Sequence, residues 1–83
     1  MTAQTARPGA WADALTPKQA AALDGRLCSA YLVGRATVNK LSRDLRKPLT
    51  VARRRELWLR RARHRDVLAD LYNLHLDLMD RRS

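Results

Sequence analysis

The sequence predicts an all-α protein: two long antiparallel helices forming a helical hairpin, with two such hairpins pairing into a four-helix bundle. Three observations lead there. One apolar stripe at alternating three- and four-residue spacing runs from Leu23 to Leu45. A single proline beyond it, Pro48, divides residues 17–81 into two nearly equal halves. The segment from Val67 to Met79 is apolar around more of its circumference than one neighbouring helix can cover.

Taken in order, residues 1–15 are rich in Ala, Thr, Gly and Pro and read as a flexible N-terminal arm with Trp11 its only large anchor. Thr16 then offers a helix cap, Pro17 suits the first helical position, and Gln19 can reach back to the cap amide. The helix that starts there, 17–46, carries the stripe as Leu23, Leu27, Ala30 or Tyr31, Gly34, Val38, Leu41 and Leu45. Gly25 and Gly34 each cost up to ~1 kcal/mol relative to Ala within a helix. Because Gly34 lies on the stripe, another backbone is expected to approach closely there. Pro48 disfavours helical geometry at Lys47 and ends the helix, leaving a bend over 47–50. Thr50 can cap a second helix, 51–81, which meets no further Gly or Pro. Each helix is about 45 Å long at 1.5 Å per residue, and so short a bend forces them antiparallel.

The second helix changes character at Asp66. Asp66, Asp70, Asn73, Asp77 and Asp80 form a narrow polar strip, and leucines, Val67, Tyr72 and Met79 fill most of the remainder. The surplus apolar surface needs a cover, from the arm, from a different protein, or from a second hairpin, which is the preferred expectation. Val67, Leu68, Leu71, Leu74, Leu78 and Met79 are the expected interface. Trp58 shares a line with Val51, Ala62, Ala69, Tyr72, Leu76 and Met79 and reads as interhelical core rather than as a stacking platform.

Charge is the other strong signal. The 83 residues carry a net +9 with a pI near 11.3, an imbalance that bears on partners and solubility more than on fold. Residues 35–65 hold twelve Lys and Arg against Asp44 and Glu56, a net of +10, whereas 66–80 hold four acids and no Lys or Arg. The hairpin is therefore expected to be basic at its bend and acidic and greasy at its open end. Glu56 can pair with Arg60 and Asp66 with Arg63, while Arg61 and Arg65 repel, each pair worth ~0.2–0.5 kcal/mol. Most of the arginines are left without a carboxylate. The candidate anion-binding residues are Lys40, Arg43, Arg46 and Lys47 on the first helix and bend, with Arg53, Arg54, Arg60, Arg61 and Arg65 on the second.

Several function classes drop out. A chain this short buries only ~60–65 % of its unfolded surface and makes one domain at most. The opening residues lack the apolar core of a secretory signal, and no uncharged run approaches the ~18 residues of a membrane span, so a cytoplasmic protein off the membrane is expected. Cys28 has no second cysteine to pair with and reads as a small buried residue. His64 and His75 lie about 16 Å apart along one helix and cannot share an ion, so no metal, cofactor or catalytic residue is expected. "ALDGRLCSAYLVGR" and "RRRELW" resemble helix signatures of the small all-helical chorismate mutases. However, Gly34 stands where that family's first helix supplies arginine, and no break separates a third helix. The basic helix running into leucines is similar in layout to a basic leucine zipper, but the leucines last about two heptads. The expectation is a non-enzymatic protein that binds nucleic acid through phosphates with little sequence preference. The alternative is an accessory subunit or inhibitor docking on an acidic protein face.

Overall fold

A computed structural model describes residues 8–81 of the chain. A short 3₁₀ helix, η1 (Ala10–Ala14), precedes two long helices, α1 (Pro17–Asp44) and α2 (Val51–Met79), with no strand among the described residues. Both long helices begin as their capping residues dictate. Thr16 Oγ1 accepts from the Gln19 amide at 3.1 Å while Gln19 Oε1 accepts from the Thr16 amide at 2.9 Å, a complete capping box with Pro17 at the first turn. Thr50 Oγ1 accepts from the Arg53 amide at 3.1 Å, and each such cap contributes about 1 kcal/mol. Both helices stop two residues short of expectation. At the first end the Arg46 and Lys47 amides turn to the carbonyls three residues back, those of Arg43 and Asp44, tightening the chain ahead of Pro48.

The helices run antiparallel along a seam with coiled-coil spacing. On α1 the seam is Ala20, Asp24, Leu27, Tyr31, Gly34, Val38 and Leu41, continued by Leu45; on α2 it is Leu57, Arg61, His64, Leu68, Leu71, His75 and Leu78. Every one of these residues is buried or half-buried. At Gly34 the close neighbour is a side chain rather than the expected backbone: a Cβ there would lie 2.7 Å from Leu68 Cδ2. The line from Val51 through Trp58 to Met79 flanks the seam instead of forming it: Tyr72 stands beside Tyr31 of α1, with ring centroids 6.4 Å apart, yet stays half exposed. Trp58 is 57 % exposed and so is not core between the two helices.

The described part of the arm, from Pro8 to Leu15, packs against the hairpin, while residues 1–7 of the expected arm lie outside the described residues. Ala12 is completely buried and forms, with Ala20, Leu27 and Leu78, the main core cluster. The Trp11 indole N–H donates to Asp77 Oδ2 at 2.9 Å, and Arg81 Nη2 donates to the Leu15 carbonyl at 2.9 Å. Gly9 makes the turn into η1 with φ of +80°, a left-handed conformation that favours glycine, and a Cβ there would lie 2.6 Å from Asp77 Oδ1. The arm thus supplies part of the cover that the wide apolar arc of α2 requires.

The rest of that arc stays open. The Cα trace measures 54 × 33 × 12 Å, one helix thick, and its radius of gyration of 17.6 Å far exceeds the ~12 Å of a compact domain of this length. No helix among the described residues is long and apolar enough to cross a membrane.

Candidate functional site

The half of the hairpin around the bend carries the charge. Lys40, Arg43, Arg46 and Arg65 are exposed, as are Arg35, Arg55 and Arg63, and none of these seven has a carboxylate within ion-pair distance among the described residues. The expected pair between Arg63 and Asp66 does not form. The remaining expected anion-binding residues are partly occupied. Glu56 Oε1 holds both Arg53 at 2.9 Å and Arg60 at 3.1 Å, and Lys47 reaches Asp44 at 3.1 Å. These exposed pairs contribute little stability, but they reduce the net charge offered at those positions.

Arg54 has a structural task that spacing along α2 does not reveal. Its Nη1 donates to the Leu45 carbonyl at 2.8 Å and its Nη2 to the Lys47 carbonyl at 3.5 Å. It thereby satisfies carbonyls that the end of α1 leaves without helical partners and places a cation at the negative end of the helix dipole. Arg61 also departs from expectation: it sits in the seam, half-buried, with an Nε that finds no partner. Beside Arg54 and Arg55 the apolar Val51, Trp58 and Leu59 line a shallow depression, so the basic half includes an accessible indole.

The expected interface residues on α2 do not share one surface. Leu78 belongs to the core, 5 % exposed beneath the arm, and Leu68 and Leu71 are half-buried in the seam. Val67, Leu74 and Met79 remain exposed, but Leu74 and Met79 are about 140° apart around the helix at 100° per residue. Tyr72 and Leu76 join Met79 as the exposed residues on its side.

A third grouping was missed by the sequence reading. Cys28 is exposed rather than buried. It lies with Asp24 and His75, so that one ligand-type atom from each falls within 4.8 Å of the others. His75 Nδ1 and Asp24 Oδ1 are 2.5 Å apart, each side chain about one-third exposed. Spacing along one helix does not show this grouping, because no Cys or carboxylate stands four residues from His75 on α2. Asp24 and His75 stand 25 and 26 residues either side of Leu49, so an antiparallel hairpin turning there sets them opposite. Asp24 was also the only charged residue on the seam line of α1.

No protein-family model matches the chain, and no curated protein or solved structure proved similar to it.

Proposed function

We propose that the protein binds nucleic acid through phosphate contacts with little sequence preference, using the basic half of the hairpin. The observation that carries this reading is the set of seven exposed cations without carboxylate partners among the described residues, contributed by both helices around one bend. Guanidinium groups that repel one another gain most from an anion that many of them can share, and each phosphate contact releases condensed counterions. The cations are spread around the helices rather than aligned on one face, an arrangement suited to tracking a backbone instead of reading base edges.

The test is fluorescence anisotropy of labelled random-sequence duplex and single strand across a salt series. About six phosphate contacts give a log–log salt slope near −5 on duplex, at ~0.9 per contact. Changing Arg43, Arg55 and Arg65 together to Gln should flatten that slope by about half while helicity is kept. Absence of binding at low salt would overturn the reading.

A second reading, docking on an acidic protein face, is favoured by one specific observation: the apolar depression at Val51, Trp58 and Leu59, which phosphate tracking does not need. Under it, Trp58→Ala alone abolishes binding to the partner, whereas phosphate binding survives that change with a modest loss.

The flat shape and the exposed Tyr72, Leu76 and Met79 support pairing of two hairpins. Leu76→Asp combined with Met79→Asp is expected to convert a dimer to a monomer in light scattering, and an unchanged mass would remove the pairing. Leu78 is unsuitable for this test because it holds the arm.

A further inference from the structure

We propose that Asp24, Cys28 and His75 form a three-ligand site for a zinc-class divalent ion that clamps α1 to α2 at the open end of the hairpin. The proposal is independent of the nucleic-acid reading, which concerns the opposite end of the molecule. Asp24 and Cys28 are four residues apart on α1, so their side chains emerge from neighbouring turns on the same side of the helix. His75 meets them from across the seam. Their ligand-type atoms lie within 4.8 Å of one another, whereas donors around a tetrahedral zinc stand about 3.4–3.6 Å apart, given bonds near 2.0–2.3 Å. Insertion of the ion therefore requires the 2.5 Å contact between His75 and Asp24 to open by about 1 Å and the thiol to close in.

The chemistry of the donors selects the ion. A thiolate, an imidazole and a carboxylate suit zinc and its neighbours among the transition metals, while magnesium and calcium prefer oxygen donors throughout. On binding, the Cys28 thiol gives up its proton to solvent and the sulfur forms the metal bond, while the proton shared by His75 and Asp24 also leaves to solvent or moves to the ring nitrogen that does not ligate, so that a neutral imidazole and a carboxylate face the ion. Three protein donors leave one tetrahedral position, which a water can take. The site opens on an apolar groove of about 280 Å³ beside Leu32 and Tyr72.

Two features of the sequence gain a reason from such a site. A charged residue on the α1 seam forgoes the burial that a leucine would provide, and a partly exposed pairing with one histidine contributes little in return. An exposed cysteine is likewise unusual, because free cysteine is among the most buried residue types. An ion shared by both turns them into a cross-link between the helices, and because it binds the folded hairpin it also stabilises it.

The decisive experiment is a zinc titration of the untagged, chelator-stripped full chain in competition with a chromophoric chelator. Cobalt(II) spectra and thermal melting with and without zinc accompany it. One equivalent per chain is expected, with a thiolate-to-cobalt charge-transfer band, tetrahedral d–d absorption and a melting temperature raised by zinc. Cys28→Ser should fold normally, because Cys28 is exposed, yet lose affinity by at least about a hundredfold, the upper end of what loss of a mere supporting partner costs. Its melting temperature should no longer respond to zinc. Asp24→Asn and His75→Gln should also lose binding, and if either fails to fold, Cys28→Ser still decides. Well under one equivalent, no thiolate band, or undiminished binding by Cys28→Ser would overturn the proposal.

Discussion

The two ends of this hairpin are held together differently. At the open end three elements meet: the arm lies over α2, Ala12, Ala20, Leu27 and Leu78 share a cluster, and Leu15, Leu23 and Leu71 pack against it. At the bend end only two helices meet. Leu41 and Leu57 are the buried residues there, and helix caps and the Arg54 bonds to carbonyls do much of the rest. The acids gather where packing is thickest and the arginines where it is thinnest. This arrangement follows from physical constraints, since a two-helix ribbon leaves long side chains in water, where their repulsion is screened and their charges stay available.

The largest effect that can break this comparison comes from deleting matched core side chains. Leu78→Ala should destabilise the protein by about 3 kcal/mol, within the range for buried leucines. Leu57→Ala should cost about 2 kcal/mol, because half-exposed neighbours at the bend can close over the gap. Urea denaturation measures both, and a larger loss at Leu57 would reverse the ranking of the two ends.

A smaller contrast separates arginines that build the bend from those that only charge it. Arg54→Gln should cost about 1 kcal/mol, since it leaves the carbonyls of Leu45 and Lys47 to water. Arg65→Gln should fall within about 0.5 kcal/mol of neutral, as exposed substitutions do. Equal effects at the two positions would remove the structural role assigned to Arg54.

The smallest contrast uses two glycines of the same helix. Gly25→Ala meets nothing within 4 Å and should stabilise by about 0.5–1 kcal/mol through helix propensity. Gly34→Ala gains the same propensity but drives a Cβ to 2.7 Å from Leu68 Cδ2, so it should be neutral or destabilising. Thermal melts of the two variants rank them, and a Gly34→Ala variant as stable as Gly25→Ala would mean that the seam is looser there than drawn.

Much of the fold was legible because it rests on local chemistry. Thr16, Pro17 and Gln19 announce one helix, Pro48 and Thr50 divide it from the next, and the stripe from Leu23 to Leu45 marks the buried face of α1. The candidate site was legible only as a concentration of charge. Which arginines are occupied depends on neighbours that spacing along one helix leaves open, as Arg54 and Arg61 show. The face of α2 was misjudged for a related reason. Between Val67 and Met79 nearly every side is apolar, so the pattern cannot choose between the line through Leu57 and Leu68 and the line through Trp58 and Tyr72.

The sequence by itself determined two helices, their antiparallel order, the basic bend and the acidic open end, because caps, breakers and charge act over a few residues. Only the tertiary structure decided the seam, the docking of the arm and the meeting of Asp24, Cys28 and His75. Those depend on register between distant segments, which is set by side chains such as Leu68 fitting the space left at Gly34 and by the turn at the bend.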